Sequence, residues 1–116
     1  MSTKFFKVFI VLTISCFIPN ISFSGDLLLG KEVASTICST CHGLDGKATT
    51  GGNSAITPNI TAQQKDYLIA NLKDYKSGKI NHPQMSLIAQ MLSKEDIENL
   101  AEWYSSIKII IELPSE

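Results

Sequence analysis

The 116-residue sequence predicts an all-α domain of about four short helices. Three observations predict it. Leu68, Leu72 and Tyr75, and again Ile97, Leu100, Tyr104 and Ile107, recur at three- and four-residue steps, the period of a helix with one buried face. Cap-forming residues stand where these stretches begin, and Gly78 stands where one of them stops. No strand pattern is convincing, since the β-branched run Ile109-Ile110-Ile111 is short.

The first 24 residues read as a secretory signal, not as part of the fold. Lys4 and Lys7 supply a positive start, and Val8 to Ile18 form an apolar run too short for a membrane span. Ser22-Phe23-Ser24 puts small residues at the −3 and −1 positions for cleavage before Gly25. An uncleaved anchor, or a lipoprotein acylated at Cys16, are the alternatives. Residues 25 to 116 then form one small domain, marginal in core size without a staple. Without Lys4 and Lys7 it holds eight lysines against eleven acids, a net charge of −3, which argues against nucleic acid as a partner.

The first helix is expected from Asp26, its N-cap, to Cys38. A loop from Gly43 to Pro58 follows, broken by Gly46, Gly51 and Gly52. The second helix runs from about Ala62 to Ser77, opened by a capping box of Thr61 and Gln64 and stopped by Gly78. A short third helix covers Gln84 to Met91. The fourth opens at Ser93, with Glu95 and Asp96 in its first turn, where the helix dipole favours acids. Its stripe of Ile97, Leu100, Tyr104 and Ile107 is flanked by Trp103, and Ile109 to Glu116 is a tail. Lys65, Lys73 and Lys76 share one side of the second helix, as a solvated face or a docking patch for a partner.

At the end of the first helix stands Cys38-Ser39-Thr40-Cys41-His42, the attachment signature of a c-type haem. Each thiol can add to one vinyl group of a porphyrin, and the imidazole that follows can bind the iron. A structural zinc site wants four Cys or His ligands, and beyond Cys16 only Cys38, Cys41, His42 and His82 remain. A disulfide or redox dithiol is the other non-haem reading of the pair. For the second axial position three side chains compete. Met85 follows the loop Asn81-His82-Pro83-Gln84, which can turn a side chain inward. Met91 lies in a helical apolar stretch, where core packing is the simpler role. His82 would give bis-histidine ligation. A thioether favours ferrous iron and raises the reduction potential.

With these residues in place, the chain resembles a class I c-type cytochrome over residues 26 to 108. It is most similar to the small soluble bacterial carriers and to one repeat unit of the soluble dihaem ones. Cys38 to Gly43 carries the resemblance most strongly, and Leu44-Asp45-Gly46 continues it. Thr57-Pro58-Asn59-Ile60 resembles the segment whose proline carbonyl accepts the N–H of the proximal histidine, which implies that Pro58 orients His42. The spacing of Met85 to Ile88, before Leu92-Ser93, resembles the ligand segment and implies His42 and Met85 as the iron ligands. Gly30 resembles the small residue that lets the first helix cross the last, with Leu100 and Trp103 at the partner positions. In two places the chain departs from the family. Ala62 stands where a glycine often precedes Gln63, a possible contact to a haem propionate, and Leu87 stands where a proline often follows the ligand.

The resemblance implies the small cytochrome c fold, wrapped around one covalently bound haem c. It implies a periplasmic electron carrier and no enzyme, since covalent attachment takes place outside the cytoplasmic membrane. Its partners would be redox protein donors and acceptors, with membrane contact only through membrane-bound redox partners. The oligomeric state is left open. The alternatives are a haem-carrying relay subunit of a larger dehydrogenase, of flavocytochrome type, and a five-coordinate haem enzyme or sensor.

Overall fold

The computed structural model describes residues 24–51 and 56–115. The expected signal, with Lys4, Lys7 and Cys16, lies outside the described residues except for Ser24, and so does Gly52. The described residues are helical. They comprise α1 (Leu27–Val33), a π turn (Ala34–Cys38), α2 (Ser39–His42), α3 (Ala48–Gly51), α4 (Lys65–Ser77), α5 (Met85–Met91) and α6 (Lys94–Ser106).

Asp26 caps α1 as the sequence predicts, accepting from the N–H groups of Leu28 and Leu29. The helical path does not stop at Cys38. A π turn carries it into α2, so that Cys38 ends the wide turn and Cys41 and His42 lie on the next one. Such widened turns often occur at functional sites. The predicted loop holds one further turn, α3, pinned where the Ala48 N–H donates to Asn59 Oδ1 at 2.9 Å.

The capping box expected at Thr61 and Gln64 does not form. Ala62 has φ +53°, so the helix cannot begin there, and α4 starts at Lys65 with Gln64 as an N-cap that makes no side-chain bond. The Thr61 hydroxyl donates instead to the Asp45 carbonyl at 2.7 Å. The backbone at Ala62 explains why glycine suits the position. Ala62→Gly is expected to raise stability by about 0.5–1 kcal/mol, the left-handed strain it relieves less the entropy it adds to the unfolded chain. Thermal unfolding of the two proteins checks it.

Two of the sequence rules hold without correction. Gly78 ends α4 in the left-handed conformation, φ +78°. Ser93 and Asp96 form a reciprocal capping box at α6, with bonds of 3.0 and 2.8 Å.

α1 packs against α6, and α4 packs against both α5 and α6. Their shared core is small: among the described residues its large, almost unexposed side chains are Leu92, Ile97, Leu100 and Tyr104. α1 and α6 touch at Gly30. A Cβ there would run into the Asn99 carbonyl oxygen and stand 3.0 Å from Trp103 Cβ. The α6 atoms nearest to that Cβ belong to Asn99 and to the expected Trp103. Successive helical residues are about 100° apart, and that step turns Leu100 away toward the cleft described below. Asn99 is buried and also accepts the Asp26 N–H at 2.7 Å.

The lysines of α4 lie on a face where Lys73 and Lys76 are exposed, and their ammonium groups also reach neighbouring elements. Lys65 pairs with Glu102 of α6 at 2.6 Å and Lys73 with Glu98 at 3.3 Å. Lys76 Nζ reaches the carbonyls of Gln90 and Leu92 at 3.1 and 2.6 Å, where it holds the C-terminal end of α5.

Candidate haem site

The signature turn faces an open-mouthed cleft of about 210 Å³. Cys38, His42 and Pro58 line it from the N-terminal half of the chain. Met85, Leu68, Leu72, Tyr75, Leu100 and Tyr104 line it from the C-terminal half. Its walls are mostly apolar.

Both cysteines are free thiols, Cys38 half-buried and Cys41 exposed. Burial pushes the Cys38 thiol up to about 11; the charge of Cys41 adds to this, and the Tyr104 hydroxyl partly offsets it. His42 is buried, and its Nδ1 lies 3.0 Å from the Pro58 carbonyl. A carbonyl only accepts, so Nδ1 carries the proton and the Nε2 lone pair is left for a metal.

The structure brings one of the three rival axial side chains to the cleft. Met85, the first residue of α5, lines it. Met91 does not; it is 64 % exposed, so the core-packing role expected for it is wrong. Six residues further along a helix, Met91 points about 120° away from Met85. His82 does not line the cleft either, and its Nδ1 is taken by the backbone of Met85. Gln63 does line it. Its Oε1 accepts the Gln64 N–H at 2.9 Å, which leaves the amide NH₂ as the group it can offer.

Tyr67 and Asn71 are lining residues that the sequence analysis missed. The signal was present, because both fall at four-residue steps with Tyr75, but their polarity hid it. Tyr104 does more than fill a stripe. Its buried hydroxyl donates to the Gly43 carbonyl at 3.1 Å, while Trp103 Nε1 donates to the Leu44 carbonyl at 2.9 Å. These two bonds tie α6 to the chain just after the signature.

Burial holds the Tyr104 phenol well above its ordinary value of 10.0. The folded pKa is raised, so its contribution to stability is whole below pH 10 and is lost above it, where the unfolded phenol ionises and the folded one resists. Tyr104→Phe is expected to lower stability by about 1–2 kcal/mol, because the Gly43 carbonyl loses its donor. It should also flatten the loss of stability above pH 10. Denaturant unfolding at neutral and alkaline pH measures both effects.

Cys38, an imidazole of fixed tautomer and a soft thioether line an apolar cleft, and the Cys41 thiol stands exposed on the turn after Cys38, outside the lining; this donor set suits a haem. A closed tetrahedral metal site does not fit: among the described residues no group of three or more His, Cys, Asp or Glu could hold a metal ion.

The family model for cytochrome c matches residues 27–108. The chain is 40% identical over 86 residues to cytochrome c-554(548) of Halomonas halodenitrificans, an overlap of 72% of this chain and 98% of that one. It is 29% identical to cytochrome c4 of Thiocapsa roseopersicina over 71% of this chain, and there it spans only 40% of the relative's length. It is also 29% identical to the cytochrome subunit of sulfide dehydrogenase of Chlorobaculum tepidum, over 66% of this chain and 64% of that subunit.

Proposed function

Because the chain belongs to the cytochrome c family, and within it to the class I c-type cytochromes that bind one covalent haem c and transfer electrons, we propose that it is a periplasmic carrier with His42 and Met85 as iron ligands. The observation that carries this reading is the presence of both side chains in one apolar cleft beside Cys38. When bound, the haem supplies a reversible one-electron iron couple.

The chain's own residues do the rest. Cys38 and Cys41 give the sulfur atoms of the two thioethers. The Pro58 carbonyl holds the Nδ1 proton of His42 and so presents Nε2 in one orientation. The soft sulfur of Met85 favours the ferrous state. Leu68, Leu72 and Leu100 exclude water from the cleft, which lowers the local dielectric around the charge that changes. The amide NH₂ of Gln63 serves a haem propionate. With His42 and Met85 both holding the iron, the bound haem would offer no open site to a substrate, which fits electron relay and not turnover. Redox proteins are its donors and acceptors.

Export follows from Lys4, Lys7, the apolar run Val8 to Ile18 and the small residues before Gly25. Among the described residues no helix is long and apolar enough to cross a membrane. Intact mass spectrometry of protein from a periplasmic extract should give residues 25–116 plus one haem. A mass without haem, or one starting at Met1, overturns the corresponding half of the reading.

A second reading makes the chain a fixed electron-relay subunit. The similarity to the cytochrome subunit of a sulfide dehydrogenase favours it. Size exclusion of a native extract separates the two, since a carrier elutes alone and a subunit elutes with its larger partner.

A further inference from the structure

The segment that brings Met85 to the cleft starts at a helix whose own N-cap residue contributes no side chain. Gln84 holds the N-cap position of α5 and makes no capping bond. The first N–H groups of a helix have no partner within it and must find one elsewhere. Here an imidazole receives them. His82 Nδ1 accepts from the Met85 N–H at 3.1 Å and from the Gln84 N–H at 3.3 Å. These are the donors three and two residues on, the pair that a capping Asn, Asp or Ser takes up. Asp26 binds the equivalent pair at α1, at 2.8 and 2.9 Å.

The backbone of His82 is fastened as well. Its N–H donates to Ser86 Oγ at 3.0 Å, the Ser86 hydroxyl donates to the Ile80 carbonyl at 3.2 Å, and the Ser86 N–H returns to the His82 carbonyl at 3.0 Å. The imidazole stands edge-on to Tyr75, ring centroids 6.0 Å apart. Tyr75 and Met85 both line the cleft, while His82 lies behind them.

We propose that His82 is a positioning residue for the axial ligand: its Nδ1 anchors the backbone N–H of Met85 and so holds the thioether in the cleft. The inference rests on Met85 being the ligand. It goes beyond ordinary capping for two reasons. The bond falls on the backbone of the ligand residue itself. And α5 has only seven residues, too few to hold a helix alone, so the fixing of its first residue decides where that residue's side chain points.

The test is the rate at which cyanide replaces methionine on the ferric holoprotein, a step gated by transient release of the ligand. His82→Ala should raise it roughly fivefold, the equilibrium weight of one lost cap. His82→Asn, whose Oδ1 can take the same two N–H groups, should stay within about twofold of the parent. His82→Phe keeps a ring against Tyr75 but offers no acceptor, and should behave as the alanine variant. Asp26→Ala loses an equal cap from α1 and should lower the thermal midpoint without changing the cyanide rate. A parental rate in both His82→Ala and His82→Phe, or equal acceleration in Asp26→Ala, overturns the inference. If His82→Ala does not mature, asparagine against phenylalanine carries the test, and equal rates there overturn it. The ligand reading fails separately, if the ferric spectrum of Met85→Ala matches the parent's. If His82→Ala alone loses the low-spin spectrum, both readings fall.

Discussion

Met85→Ala should abolish the low-spin, six-coordinate spectrum and lower the reduction potential by on the order of 0.2 V, a fraction of the roughly 0.8 V that axial ligands span. The sign follows from ligand softness. A thioether stabilises ferrous iron more than ferric, and the water or hydroxide that would take its place does the reverse. Alanine also removes an apolar side chain from the cleft wall, which admits solvent and favours the oxidised, more charged state. A reduced-minus-oxidised absorption spectrum and a potentiometric titration, run beside the parent, measure both effects. Met91→Ala is the control. Its side chain is 64 % exposed and outside the cleft, so spectrum and potential should be unchanged. An unchanged Met85→Ala spectrum would remove the axial assignment.

Gly30→Val is expected to destabilise the protein by about 3 kcal/mol or more, the upper end of overpacking costs. In a domain of this size that lowers the thermal midpoint by roughly 10–20 °C. The physical reason is what the new Cβ meets. The Asn99 carbonyl belongs to the backbone of α6 and cannot rotate aside, and Trp103 Cβ stands 3.0 Å away on the same helix. α1 would have to lift off α6, breaking the Asp26 N–H bond to Asn99 Oδ1 and moving the signature turn relative to Tyr104. Gly78→Ala makes the comparison clean. Nothing lies within 4 Å of that position, so only its left-handed backbone, φ +78°, resists, at about 1 kcal/mol. If the two variants melt together, the tight crossing is not what Gly30 provides.

Several features were legible without any coordinates. Cys38, Cys41 and His42 announce their chemistry by spacing alone, because attachment and ligation happen within two helical turns of continuous chain. Asp26, Ser93 and Gly78 do the same for helix ends, since capping is an exchange between residues two to four apart. Local rules failed where a distant partner outbid them. The Thr61 hydroxyl is drawn to the Asp45 carbonyl, and the positive φ of Ala62 delays α4 by three residues. The lysines of α4 carry no sign in sequence that Glu98, Glu102 and the carbonyls of Gln90 and Leu92 await them.

The sequence by itself determined a helical chain with two thiols and an imidazole set for a covalent haem. The resemblance pointed to Met85 by spacing, while tertiary structure decided that its side chain, and not that of Met91 or His82, stands in the cleft with His42. Met85, Met91 and His82 lie within ten residues of one another and all bear soft or nitrogen donors. Choosing among them depends on how a seven-residue helix is rotated, and that rotation is fixed by contacts with α4 at one end and a looped-back imidazole at the other. Such contacts have no period and no fixed separation along the chain, so no pattern in the sequence could contain them.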